Sequence, residues 1–338
     1  MNLEDIARKA GVSRSTVSRV INNEPYVSAK TREKVLKVIQ EVGFTPNPGA
    51  RMLVTQRTQV IGIVIPRNLS VVFEDPYYFP TLLQGVAEAA QERDYATLLW
   101  LGSSNEDEAR FYQRILKNRL MDGLVIASAT TTADIFKHLL VQEIPFVTVE
   151  RPSTHQDQIN YVTIDNIGAA RTAVEHLISL GRTRIGAIVG QQDNTDAQDR
   201  LIGYKDALRA FDFPYDPALA VEGYFSRRGG YLAMKALLKQ GVDAVFAASD
   251  TMAIGALQAL QENNVRVPED VALIGFDDLP LALLSTPRLT TIRQPIQSRG
   301  YQATSLLLDI LAGTVQGPRQ VVLSTQLVIR QSTVGGLF

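Results

Sequence analysis

The chain has 338 residues, 45% of them hydrophobic and 20% charged. That supports two or three compact units with a sizeable core and argues against a disordered chain. Cysteine is absent, so there is no disulfide framework, thiolate nucleophile or thiolate metal site. No run of about 18 apolar residues occurs, and the chain opens on Asn2-Leu3-Glu4-Asp5 rather than on a basic then apolar leader. Neither a membrane span nor an export signal is expected, which is compatible with a cytoplasmic protein. The net charge of −1 is unevenly distributed: residues 1–57 carry +5 and the remainder −6, so only the N-terminal part is expected to meet a polyanion.

Leu3, Ile6, Ala7 and Ala10 fall at i, i+3, i+4 and i+7, one apolar face of a short helix, and Gly11 follows where a left-handed stop is needed. Val12 leads into Ser13, a good N-cap, and Val17, Val20 and Ile21 then form the buried stripe of a second helix. The tight turn between them predicts a helix-turn-helix, in which the second helix lies in the major groove. Its other faces carry Arg14, Ser15, Ser18, Arg19 and Asn22. Arg14 and Arg19 can each fork onto O6 and N7 of guanine, while Ser15, Thr16, Ser18 and Asn22 suit phosphates or permissive base contacts. Read alone, the same face is equally a solvated one. Ser28 caps a third helix, with Val35, Val38, Ile39 and Val42 inward and Gly43 at its end. The start of that helix, with Ser28, Lys30, Thr31, Arg32 and Lys34, is expected along the DNA backbone.

Asp5-Ile6-Ala7, Ala10-Gly11-Val12-Ser13, Thr16-Val17-Ser18-Arg19-Val20-Ile21-Asn22, Val27-Ser28 and Thr31-Arg32 together resemble the lactose-repressor (LacI/GalR) family. The likeness runs on through Phe44-Thr45-Pro46-Asn47-Pro48 and Ala50-Arg51-Met52-Leu53 to the C-terminal end. The resemblance implies a transcription regulator, most simply a repressor, that reads bases with Arg14, Ser15 and Arg19. It also implies a hinge in which Asn47, Ala50, Arg51 and Leu53 meet DNA, with Leu53 as a minor-groove wedge. The segment from Asn47 to Thr55 is shorter than the ~12 residues an isolated helix needs, and Gly49 costs about 1 kcal/mol relative to Ala. Its folding is therefore expected to wait for DNA. Two hinges across a dyad would push paired Leu53 side chains between base steps and kink the duplex.

Beyond Arg57, short β-rich apolar runs alternate with amphipathic helical stretches, the pattern of doubly wound parallel sheets. Strands are predicted at 60–65, 96–101, 123–127 and 146–149, and again at 185–189, 220–221, 244–248 and 271–276. Helices are predicted at 79–93, 106–118, 167–180, 200–211, 229–239 and 252–263. The resemblance implies a two-lobed, periplasmic-binding-protein-like α/β body that the chain crosses three times, near 161–163, 290–293 and 321–323. The expected organisation is thus a helix-turn-helix domain at 1–46, a hinge and linker at 47–58, and an effector-binding and dimerisation domain at 59–338. Lobe one would hold 59–162 with 293–322, and lobe two 163–290 with 323–338.

Ligands of open α/β sheets sit beyond the carboxyl ends of the strands. The loops there offer Asp75, Tyr78, Glu150 and Asp165 in the first lobe and crossover, and Arg200, Phe225, Asp250 and Asp277 in the second. Carboxylates accept paired hydroxyls, a guanidinium donates in a fork and an aromatic face covers the C–H side of a sugar ring. The resemblance places Glu150, Arg200, Phe225, Asp277 and Gln294 at effector positions. Asp250 could instead cap a helix near Thr251, Asp165 or Asn166 one near Ile167, and Tyr78 and Phe225 could be ordinary interlobe packing. Trp100, inside a strand run, reads as core.

No Gly-x-Gly-x-x-Gly after a strand, phosphate-cradling Gly-Lys-Ser/Thr loop or nucleophile elbow occurs. The three histidines, His138, His155 and His176, are dispersed. No catalysis, cofactor or metal is expected. The partners expected are a pseudo-palindromic operator, a small-molecule effector and a second copy of the chain. No heptad-patterned segment follows Leu327-Val328-Ile329-Arg330, so a dimer is expected rather than a tetramer. A sugar is the favoured effector, with a nucleobase or a phosphorylated protein partner still open. A solute-binding receptor and a sugar-processing enzyme are the rival readings.

Overall fold

The computed structural model describes residues 2–21, 24, 26–44, 57–65, 75–101, 120–127 and 133–335. The chain divides into two compact units after Thr58. The hinge, with Asn47, Ala50, Arg51 and Leu53, lies outside the described residues, as do Asn22 and the helix predicted at 106–118.

The N-terminal unit is three helices: α1 (Leu3–Ala10), α2 (Arg14–Ile21) and α3 (Ala29–Glu41). Local chemistry fixes each end. Asn2 accepts from the backbone N–H of Glu4 and Asp5, while Asp5 accepts from that of Asn2, a reciprocal cap. Gly11 ends α1 at φ 58°, the left-handed region that glycine enters without steric cost. Ser13 Oγ accepts from Thr16 N at 3.1 Å, and Ser28 Oγ from Thr31 N at 3.3 Å, so both expected caps are made. Ile6, Ala7, Ala10, Val17, Val20 and Val35 form the small core.

The body holds two six-stranded sheets. The first runs β11-β5-β4-β3-β1-β2, built from β1 (Val60–Ile65), β2 (Ala96–Leu101), β3 (Gly123–Ile126), β4 (Phe146–Thr148), β5 (Asn160–Ile164) and β11 (Gln320–Leu323). The second runs β12-β10-β9-β8-β6-β7, from β6 (Ile185–Val189), β7 (Ala220–Glu222), β8 (Ala244–Ala247), β9 (Ala272–Asp277), β10 (Thr290–Arg293) and β12 (Gln326–Val328). All recorded pairings are parallel except β10 with β12.

Such strands need helices on both faces, which explains their continuous apolar runs. Helices Tyr78–Gln91 and Ile296–Ala312 pack one face of the first sheet through Leu82, Val86, Ala303 and Leu307. Phe136 and Leu139 cover the other face, where Trp100 packs half-buried rather than fully within the core.

The crossings fall slightly later than the sequence suggests. β5 extends to Ile164, and β10 pairs with β9 as far as Arg293 with Asp277. Residues 163–164 and 323 therefore belong to the first lobe and 291–293 to the second, because strand pairing carries each segment to the end of its own sheet before the chain turns across.

Candidate functional site

Two surfaces are the candidates, one in each unit. On the N-terminal unit, α2 buries Val17 and Val20 and turns Arg14, Ser15 and Arg19 to solvent, with Thr16 and Ser18 half-buried. The Arg14 and Arg19 side chains are 68% and 56% exposed, each only loosely paired at 3.7 Å, with Glu4 and Glu24 respectively. Exposed pairs of that length contribute little and exchange readily for another anion. Ser13 Oγ lies 2.7 Å from Ser15 Oγ and 2.8 Å from Thr16 Oγ1, which ties these two hydroxyls to the turn. Ser28 and Thr31 are likewise occupied with each other, at 2.9 Å. Arg32, expected along the backbone, donates to Glu24 O at 2.6 Å and braces the chain between α2 and α3.

In the body, a cleft opens between the carboxyl ends of the two sheets. Of the residues picked from the sequence, it is lined by Asp75, Tyr78, Glu150, Arg200, Phe225 and Asp277. Three others lie elsewhere. Asp165 is exposed and caps helix Asn166–Ser179 by accepting from Gly168 N, so it is a cap and not a cleft residue. Asp250 is fully buried behind the cleft, accepting from Thr291 Oγ1 at 2.6 Å and Leu279 N at 2.8 Å. It is not the cap either, since Ser249 accepts from Met252 N. Gln294 is buried and donates to Asp277 Oδ1 at 2.6 Å, one step back from the cleft surface.

Arg200 does not stand in a loop. Asn194 caps helix Thr195–Ala210, which starts five residues earlier than expected, and Arg200 sits in its second turn. It is buried with its guanidinium 3.7 Å over the Phe276 ring. Arg200 Nε donates to Asn166 Oδ1 at 2.8 Å and Nη1 to Ala248 O at 2.7 Å. Asp277 Oδ1 lies 3.7 Å away and Asp196 Oδ2 3.9 Å away. Asp277 closes β9 at φ 120°, a conformation side chains rarely adopt, which turns its carboxyl out of the sheet. Burial pushes Asp277 up to about 7 against the pull of Arg200 and the Gln294 hydrogen bond. Phe225, at φ 52°, reaches over Gly190, where a Cβ would stand 2.1 Å from the ring.

Sequence reasoning missed a fully buried cation behind the cleft. Arg299, 0% exposed on helix Ile296–Ala312, donates Nη2 to Val149 O at 2.5 Å and to Asp196 Oδ2 at 3.1 Å. Its Nη1 donates to Gln294 Oε1 at 2.7 Å. Burial alone would lower the Arg299 pKa, but Tyr78, Asp196 and Glu150 raise it above the ordinary value. Tyr78, with its hydroxyl end buried beside them, is pushed up to about 12 by that burial, Arg299 opposing. The available signal was spacing: Arg299 falls in the i, i+3, i+4, i+7 stripe with Ile296, Gly300 and Ala303.

The lobes meet through polar bonds around this cleft. Asn194 Nδ2 donates to Glu150 Oε2 at 2.7 Å, Thr251 Oγ1 to Asp75 Oδ2 at 2.7 Å and Thr195 Oγ1 to Arg151 O at 2.6 Å. Arg151 grips Asp199 with two bonds, at 2.6 and 3.1 Å. Every one of these joins a first-lobe group to a second-lobe group, so closure of the cleft has identifiable fastenings.

Among the described residues no His, Cys, Asp or Glu cluster is placed to hold a metal, and no helix is long and apolar enough to cross a membrane.

Residues 2–47 match the model for bacterial regulatory proteins of the lacI family, and 174–333 that for a periplasmic binding protein-like domain. The HTH-type transcriptional regulator CelR of Thermobifida fusca is 40% identical over 333 residues, covering 98% of this chain and 97% of its own. A solved CelR–cellobiose complex superposes with TM-score 0.78 at 37% identity, covering 98% and 99% of the two chains. The lac repressor dimer bound to operator and the anti-inducer ONPF gives TM-score 0.83 at 28% identity, with the same coverage.

Proposed function

The chain belongs to the lacI family of bacterial regulatory proteins, and from that premise we propose a homodimeric repressor that releases or grips its operator according to a sugar held in the interlobe cleft. That it is a DNA-binding transcription regulator follows from the family itself. The sugar is the reading that the cleft chemistry favours. Carboxylates from both lobes, one buried guanidinium and the Phe225 ring converge on one cavity, which suits hydroxyl pairs and a ring face. The CelR complex with cellobiose makes that disaccharide the first compound to test.

Arg14, Ser15 and Arg19 read bases in this account, with Thr16, Ser18 and Asn22 beside them and Ser28 and Thr31 near phosphates. Asn47, Ala50, Arg51 and Leu53 act in the minor groove. One helix-turn-helix reads only a few base pairs, so two copies on a two-fold operator raise affinity and specificity together. The protein works in the cytoplasm, where its operator is, and performs no catalysis.

The observation that carries the reading is the joining of both lobes by polar groups that also line the cleft, Asp75 and Glu150 among them. A ligand competing for those groups alters closure, and closure is what a hinged dimer transmits. Calorimetric titration of cellobiose into the full chain, with and without operator DNA, tests it. Reciprocal coupling of about 1–3 kcal/mol is expected, and a single affinity in both titrations would sink the switch.

A further inference from the structure

We propose that the cleft is built to reject anions, so that the effector is an uncharged polyol and not a sugar phosphate or sugar acid, with Asp196 as a residue that selects it. The inference rests on the sugar reading above and adds its chemical class.

Four helices begin at the cleft, and helix N-termini are where proteins ordinarily bind phosphate or carboxylate, through unsatisfied N–H groups and the positive end of the dipole. Here each already has a side-chain acceptor on one or two of those N–H groups. Asp75 Oδ1 accepts from Tyr77 N at 2.9 Å and Tyr78 N at 3.0 Å. Asn194 Oδ1 accepts from Ala197 N at 2.9 Å. Ser226 Oγ accepts from Gly229 N at 2.9 Å and Ser249 Oγ from Met252 N at 3.2 Å. Part of what an anion would use is thus spent on the chain's own side chains, one of them a carboxylate.

The charges point the same way. Four carboxylates line the cavity, Asp75, Glu150, Asp196 and Asp277, against one lining guanidinium, Arg200. Arg200 is flanked by two of those carboxylates within 4 Å, and Arg299, the only other buried cation there among the described residues, is committed to Asp196, Gln294 and Val149 O. Both guanidiniums thus already face carboxylates or carbonyls of the chain itself.

Asp196 shows what the cleft wants instead. It is 4% exposed and lines the cavity. Its Oδ2 accepts from Arg299, while Oδ1 is buried with no hydrogen-bond partner among the described residues. A buried acceptor without a donor is costly, and a ligand hydroxyl relieves that cost whereas an anionic oxygen aggravates it. Arg299 acts here as a positioning residue that holds one Asp196 oxygen and leaves the other for the ligand.

The test uses the full-length chain and thermal-shift screening followed by calorimetry, with cellobiose, glucose and ribose set against glucose 6-phosphate, ribose 5-phosphate and glucuronate. At least one neutral sugar should bind, and its anionic counterpart should bind on the order of 100-fold more weakly or not at all. Asp196→Asn should weaken the neutral sugar by about tenfold or more and shrink the discrimination against its anionic counterpart. An anionic sugar binding as tightly as its neutral parent overturns the inference and leaves the sugar reading standing. Absence of binding by sugars of either charge overturns the sugar reading itself, and this inference with it. The comparison on the unmodified protein needs no variant, so it decides the matter even if Asp196→Asn fails to fold.

Discussion

Arg14 and Arg19 in the N-terminal unit and Arg200 and Arg299 in the body are the same side chain in two environments. The first pair stands more than half exposed beside glutamates at 3.7 Å, in contacts that water and salt weaken. The second pair is buried, one stacked on Phe276 and the other fixed by four acceptors including the Tyr78 hydroxyl. An exposed guanidinium keeps its donors negotiable, which suits the base-reading role proposed for that helix. A buried one has settled its bonds in advance and so fixes the shape of a cavity. Replacing an arginine should therefore cost folding in the body and binding in the N-terminal unit.

Arg299→Ala breaks the comparison most severely if it fails. Removal strands Asp196 without its cation in the interior, and loss of one partner of a buried pair costs about 3–5 kcal/mol. Chemical denaturation of the body should show it, and a loss below about 1 kcal/mol would mean the site relaxes or takes in water.

The next expected effect is one of pH. Asp277, with a folded pKa raised from 3.8 to about 7, holds a proton that the unfolded chain has released above about pH 4. Its contribution to stability is fully present below pH 4 and is lost as pH rises through 7. The denaturant midpoint of body unfolding should thus fall as pH rises from about 4 to about 7 and level off above it. Asp277→Asn, which keeps an acceptor for Gln294, should flatten the slope; an unchanged slope assigns the titration elsewhere.

In the N-terminal unit, Arg19→Ala should leave unfolding nearly untouched yet cost about 1–3 kcal/mol of operator affinity, with relaxed preference at one base pair. Gel-shift titration against single-base operator variants reads this out. Uniform weakening would make Arg19 a phosphate contact and narrow the comparison to Arg14. Smallest is Ser13→Ala, which removes the α2 cap and should cost about 1 kcal/mol of N-terminal-unit stability, read by its thermal transition.

How much of this was legible in the sequence follows from the range of the interactions involved. Gly11, Ser13 to Thr16 and Ser28 to Thr31 act within four residues, so residue type and spacing sufficed for three helices, though the Asn2–Asp5 cap went unread. Eight apolar strand runs were as plain, whereas β5, β10 and β11 were read only as crossings and β12 not as a strand. The cleft was harder. Asp250 and Asp277 looked alike as loop carboxylates, yet one is spent on Thr291 and Leu279 and the other lines the cavity. Arg200 was found but misplaced, since Asn194 starts its helix earlier than apolar periodicity suggests. Arg299 and Asp196 are 103 residues apart and acquire meaning only when the lobes close over them.

The threefold crossing has a consequence for synthesis. β11 and β12 are edge strands, one on each sheet, and both come from residues 320–328. The helix Ile296–Ala312, made just before them, supplies Leu307 to the interior of the first lobe and Arg299 to the cleft. While the ribosome is still near residue 290, neither lobe has all its strands and the cleft lacks the Arg299 cation buried behind it. A prematurely terminated chain would thus emerge with its DNA-reading helices complete and its sensor unfinished in both halves at once. Such a fragment would present two open sheet edges to chaperones and proteases instead of lingering as an operator-binding protein deaf to its signal.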